Sequence, residues 1–179
     1  MYAIIAVFDE KTEQIIKDIW KELKDLSISF YAYEVENRKP HITLASYMDI
    51  NIAEYVRQME VFYKDQESIN VSLNSIGSFM NSGTLFFSPT VTKDLFELHS
   101  DHHKEFKQFN DDPSSLYLPD RWIPHCTIAN RLSPEKLSEA FNYCSKRNNT
   151  LFAQIKEIAL IDVSDKSKAP IIFTMELKK

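Results

Sequence analysis

Along the chain the spacing of apolar residues switches between a strand period and a helix period in a fixed order. Residues 2–8 are an unbroken apolar, β-branched run, which predicts a buried strand. Ile15, Ile16, Ile19, Trp20 and Leu23 then recur at helical spacing, with Lys17, Asp18, Lys21, Glu22 and Asp25 on the opposite face. Residues 28–36 read as extended, and Pro40 pushes its predecessor out of helical geometry, so a strand is expected to start at His41. After Asp49 or Asn51 as a cap, Ile52, Tyr55, Val56, Met59, Phe62 and Tyr63 form a second helical stripe. Ile69, Val71 and Leu73 alternate with Asn70, Ser72 and Asn74 as a half-buried strand, and Asn81-Ser82-Gly83 turns the chain into another over 84–88.

The same order then begins again. A helix is predicted over about 92–109, with Leu95, Phe96, His99, His103 and Phe106 along one side. Asn110-Asp111-Asp112-Pro113-Ser114-Ser115 is a loop, and Ser133-Pro134 caps a fourth helix whose buried stripe is Leu137, Ala140, Phe141 and Cys144. Strands near 153–163 and 170–177 end the chain, joined by the polar turn Ser164–Lys168. Each half therefore reads strand, helix, strand, helix, strand, strand, with 84–88 shared between rounds. The expected fold class is α+β: residues 1–179 as a single domain of two pseudo-symmetric lobes, with mostly antiparallel sheets flanking a central cleft and helices outside.

The third element of each round opens with the same phrase. Pro40-His41-Ile42-Thr43-Leu44-Ala45 is matched by Pro124-His125-Cys126-Thr127-Ile128-Ala129, the two histidines standing 84 positions apart in a chain of 179. On a strand, residues two apart share a face. His41 and Thr43 would project together, as would His125 and Thr127, with Ile42, Leu44, Cys126 and Ile128 turned into the core. If the pseudo-twofold axis sets the two strands side by side, two imidazoles and two hydroxyls meet across the cleft.

That set of groups can open a phosphodiester without a metal or cofactor. One neutral histidine takes a proton from the attacking water and the other, protonated, gives one to the leaving oxygen. The threonine hydroxyls donate to the non-bridging phosphate oxygens. Arg38, Lys39, Arg121 and Arg131 flank the motifs and are candidates for phosphate contact. Trp122, Tyr117 and Tyr47 are candidates for stacking on a base, or for packing under the 110–123 loop. His99 and His103 share a helix face at i and i+4, but no third ligand stands at a persuasive spacing, so no metal site is expected.

Composition narrows the partners. Only two glycines occur, Gly77 and Gly83, and neither lies in a phosphate-loop context. The net charge of −5 argues against coating long RNA or DNA, while a terminal phosphate can still be held by a few local cations. No stretch approaches the roughly 20 apolar residues that span a bilayer, and Met1–Phe8 lacks the basic start of a signal peptide. Cys126 and Cys144 read as small core residues of a reduced, cytoplasmic chain, expected to be monomeric.

The two H-x-T motifs in a small bilobal chain resemble the two-histidine (2H) phosphoesterase superfamily, and within it the bacterial RNA 2′,3′-cyclic phosphodiesterases also known as 2′-5′ RNA ligases. The resemblance covers the whole chain in length and element order, and its specific part is the two motifs. It implies hydrolysis of a 2′,3′-cyclic phosphate, on an RNA terminus or a small nucleotide, to a 2′-phosphate, with 2′-5′ RNA ligation as a further activity. It also implies His41 as general acid, His125 as the base that activates water, and Thr43 and Thr127 as phosphate ligands. The alternative from another class is a catalytically idle module that binds RNA ends or nucleotides in the same cleft.

Overall fold

Asp9 makes the first turn of the fold by serving two elements at once. Its carboxylate accepts from the Thr12 backbone N–H at 3.0 Å and from the Gln154 N–H at 2.8 Å, capping a helix and pinning it to a distant strand. In the computed structural model, which describes residues 1–147 and 150–179, the elements are β1 (Tyr2–Phe8), α1 (Glu10–Asp25), β2 (His41–Tyr47), α2 (Ile52–Tyr63), β3 (Ile69–Ser78), β4 (Leu85–Pro89), α3 (Lys93–Glu105), β5 (Cys126–Ala129), α4 (Pro134–Ser145), β6 (Leu151–Asp162) and β7 (Ile171–Glu176). Asn51, Thr92 and Ser133 cap the other three helices, each side chain accepting from the N–H three residues on.

The strands form a sheet in the order β2-β1-β6-β3-β4-β5, with β7 added on β6, and their pairings are antiparallel. The long strand β6 carries the join: Leu151–Ile155 pairs with β3, and residues from Ile155 onward pair with β1. The two motif strands thus stand at opposite ends of the order. They nonetheless approach each other in space, because the sheet curls round until β2 meets β5.

Helices pack on one face. Ile16, Ile19, Leu23, Tyr55, Met59, Leu95, Leu98 and Ala140 bury against Ile4, Ala6, Phe8, Ile42 and Leu44 from the strands. On the other side of β1 and β6, Ala3, Ile5, Val7, Ala159 and Ile161 form a smaller apolar cluster. Burial on both faces is why residues 2–8 are apolar without alternation.

Three expectations are corrected. Residues 28–36 are not extended: Ser27 ends α1 at φ +54°, and Tyr31–Tyr33 is a 3₁₀ turn whose Tyr31 packs edge-on against Trp20 at 6.0 Å. The helix expected over 92–109 is α3 followed by a 3₁₀ turn at Lys107–Phe109, and its buried face is rotated, with Phe96 58% exposed while Leu98 and His102 are buried. Apolar periodicity discounts a buried histidine, yet His102 is satisfied on both ring nitrogens, by Tyr47 Oη at 3.1 Å and Tyr63 Oη at 2.7 Å, which removes the penalty for burying it. Finally, Ile52 and Phe141 lie on the outer side of their helical stripes and are exposed. No helix among the described residues is long and apolar enough to cross a membrane.

Candidate active site

Both motif strands break their alternation at the same place. Across β1 and β2, Ile4 faces Ala45 and Ile5 faces Thr43, leaving Leu44 as the extra residue of a β-bulge; across β4 and β5, Leu85 faces Ala129 and Phe86 faces Thr127, leaving Ile128 extra. Before the bulge, histidine and threonine point to the open face. After it the parity flips, so Leu44 and Ala45 are both buried, as are Ile128 and Ala129. Ser46 and Asn130 then return to the open face.

His41, Thr43, His125 and Thr127 line one cleft of about 570 Å³. Its floor is the small apolar cluster, through Ala3, Ile5 and Ile161, and its walls carry Arg38, Lys39, Arg131, Lys166 and Lys168 beside Asp165. Cations are therefore gathered at this cleft in a chain whose net charge is −5. The motif strands also touch directly: the His41 backbone N–H donates to the Cys126 sulfur, and burial pushes that thiol up to about 12.

The two imidazoles are held alike. His41 Nδ1 donates to the Lys39 carbonyl at 2.7 Å, and His125 Nδ1 donates to the Ile123 carbonyl at 2.7 Å, each two residues back. A carbonyl only accepts, so the proton of the neutral ring sits on Nδ1 and Nε2 keeps its lone pair. Burial, followed by the charges of Arg38 and His125, lowers the His41 pKa to about 4 against the pull of the Lys39 carbonyl. Burial also lowers that of His125, whose ring lies against Phe79 at 4.8 Å and Phe86 at 5.2 Å.

Both glycines serve this second motif. A Cβ on Gly77 would stand 2.6 Å from the Phe86 ring that packs under His125. Gly83 has φ +63°, and a Cβ there would stand 2.3 Å from the Leu132 carbonyl oxygen.

The candidate binding residues divide. Arg38 lines the cleft, with its guanidinium 4.0 Å over the Tyr31 ring and a buried Nε that has no partner among the described residues. Lys39 lines it 3.7 Å from Glu157, and Arg131, at φ +58°, lines it while ion-paired to Glu34. Arg121 does not line it; its Nη1 donates to the Pro113 carbonyl at 3.2 Å. Trp122 stacks on His99 at 3.8 Å and 3° and donates from Nε1 to the Thr43 carbonyl at 2.9 Å, so it packs beneath the strand. Tyr47 is corrected outright: it is 1% exposed in the core, because the bulge at Leu44 turns a position with the parity of Thr43 inward.

The three clustered histidines are engaged as structural partners. His99 Nε2 donates to the Tyr117 carbonyl at 2.8 Å, His103 Nε2 donates to the Leu44 carbonyl at 3.0 Å, and His102 lies among Tyr47, Tyr55 and Tyr63. Among the described residues no three His, Cys, Asp or Glu side chains gather as metal ligands.

Residues 14–167 match the sequence profile of the 2′-5′ RNA ligase superfamily. The chain belongs to that superfamily, the 2H phosphoesterases. Its fold is similar to that of E. coli LigT complexed with 3′-AMP, at TM-score 0.67 and 11% identity over 99% of this chain and 98% of that one. Similar too are a phosphoesterase, at TM-score 0.65 and 13% identity over 99% and 98%, and TT0787 of Thermus thermophilus, at 0.63 and 13% over 99% and 97%. No curated protein matches the sequence. At so little identity, the likeness to these 2H phosphoesterase structures is one of fold.

Cleft residues that the sequence left unmarked are Lys166 and Lys168 from the β6–β7 turn, Thr84, Asn130 and Tyr31. The repeated phrase held one usable signal: extended by a residue, it reads Ala45-Ser46 and Ala129-Asn130, polar both times, and both line the cleft.

Proposed function

We propose that this 2H phosphoesterase is a metal-independent cyclic phosphodiesterase that hydrolyses a 2′,3′-cyclic phosphate, on an RNA end or a nucleotide, to a 2′-phosphate. The observation that carries the reading is the matched pair of imidazoles in one cationic cleft, each fixed through Nδ1 to a carbonyl two residues back. One Nε2 accepts a proton from water as its oxygen bonds to phosphorus. The bond from phosphorus to O3′ breaks, and the protonated partner imidazole supplies the proton of the 3′-hydroxyl. Thr43 and Thr127 donate to the non-bridging oxygens, where charge accumulates, and Arg38, whose Nε no described residue satisfies, takes the anion. E. coli LigT, of similar fold, has been crystallised with 3′-AMP, ATP, NADP+ and phosphate, which supports a nucleotide phosphate as the ligand.

A binding-only module is the second reading. It is favoured by one observation: burial lowers the pKa of both motif histidines, so in the empty cleft neither readily holds the proton an acid must donate. Incubating the protein with 2′,3′-cyclic nucleotides and a cyclic-phosphate-ended RNA in EDTA, with products resolved by chromatography, separates the two. A 2′-phosphate product supports the enzyme; saturable binding of the same ligands without product supports the module.

A further inference from the structure

Two tyrosines enter the cleft, and each arrives from the segment that precedes one motif to meet the threonine of the other. Tyr117, ahead of His125, has its phenol within hydrogen-bonding reach of Thr43; Tyr31, ahead of His41, has its phenol within reach of Thr127. All four side chains line the cleft.

We propose that Tyr117 and Tyr31 are positioning residues that orient the hydroxyls of Thr43 and Thr127 toward the substrate phosphate. This rests on the reading of the threonines as phosphate donors. A threonine hydroxyl has one proton and two lone pairs. Its proton serves the phosphate only if it is not turned elsewhere. A phenol, the more acidic of the two hydroxyls, donates into a threonine lone pair and leaves the threonine proton as the one directed into the cleft. Burial raises the pKa of both phenols, so both keep their protons at neutral pH.

The supports of each tyrosine are independent of this pairing. The Tyr117 carbonyl accepts from His99 Nε2 at 2.8 Å, and His99 stacks on Trp122, which donates to the Thr43 carbonyl at 2.9 Å. The segment between α3 and β5 therefore grips Thr43 at both its hydroxyl and its carbonyl. Tyr31 is held edge-on by Trp20 at 6.0 Å and covered by the Arg38 guanidinium at 4.0 Å. Because the grips cross, each half of the sheet orients the other half's phosphate donor.

The test is a set of double-mutant cycles with Tyr117→Phe, Tyr31→Phe, Thr43→Ala and Thr127→Ala on uridine 2′,3′-cyclic phosphate. Each Phe variant is expected to lower kcat about tenfold, the worth of one oriented hydrogen bond, with KM little changed. Tyr117→Phe should add nothing to Thr43→Ala yet keep its full effect on Thr127→Ala, and Tyr31→Phe should do the reverse. Effects that multiply in every pair, or that couple within the same half, overturn the proposal. The same cycles read by urea unfolding should show about three- to tenfold coupling in the crossed pairs alone. That readout does not need turnover. An inert wild type with crossed coupling sinks the phosphodiesterase reading and keeps the pairing, whereas additive stabilities sink the pairing whatever the activity.

Discussion

β2 and β5 carry the same phrase and give it the same backbone, yet surround it differently. In both, the histidine is tied to a carbonyl two residues back and a bulge follows the threonine. Around β2, the outer edge is closed by ring N–H donors, His103 to the Leu44 carbonyl and Trp122 to the Thr43 carbonyl, and Arg38 adds its charge near His41. Around β5, the histidine rests on Phe79 and Phe86, and the strand ends in a turn where Asn130 Oδ1 accepts from Thr84 Oγ1 at 2.7 Å and from the Arg131 N–H at 2.8 Å. The lesson is that the repeated residues set where each imidazole points, and their unlike surroundings set how tightly each holds a proton. The family resemblance makes His41 the acid. The empty cleft favours the opposite assignment, since His41 is lowered by burial and by a neighbouring cation while His125 is lowered by burial alone.

The largest effects should come from the imidazoles themselves. His41→Ala and His125→Ala are each expected to lower kcat about 10²- to 10⁴-fold without loss of fold, checked by rate profiles and circular dichroism. The variant that loses the acid should lose the fall in rate at high pH, and the variant that loses the base should lose the fall at low pH. Those two limbs assign the roles directly.

Next come the threonines. Thr43→Ala and Thr127→Ala should each cost about 10²-fold in kcat, as the loss of one preorganised donor does. A cost confined to one of them would break the equivalence of the two strands.

Acid should then act chiefly on the β2 side. His99, 2% exposed, is lowered to about 4 by burial, and His102 and His103 beside it are lowered too. Their folded pKa values lie below the ordinary 6.5, so the unfolded chain binds more protons in between. The stability they contribute is fully present above about pH 6.5 and is lost as the pH falls toward 4, with about 3 kcal/mol from His99. Urea titrations from pH 7 to 4 should show that loss, and His99→Gln should flatten it.

The smallest effect sharpens the β5 side. Gly77→Ala drives a methyl into the Phe86 ring and should cost about 1–3 kcal/mol. By NMR titration it should move the His125 pKa and leave that of His41 in place. A shift of both would mean that the two sites are coupled through the sheet.

The sequence by itself determined the element order, the two motifs and the inward turn of Ile42, Leu44, Cys126 and Ile128, because each depends on local periodicity or on a short repeated phrase. It also determined the superfamily, since the matched span includes both motifs. Only the tertiary structure decided that the two outermost strands meet, that Tyr47 is core, and that α3 buries Leu98 and His102 in place of Phe96. A bulge is a property of two paired strands, and a buried histidine is stable only where distant tyrosines complete its hydrogen bonds, so neither is written in the spacing of one segment. The cationic rim from the β6–β7 turn and the crossed tyrosines belong to the same class. They come from parts of the chain far from the motifs they serve, and only the curl of the sheet brings them within reach.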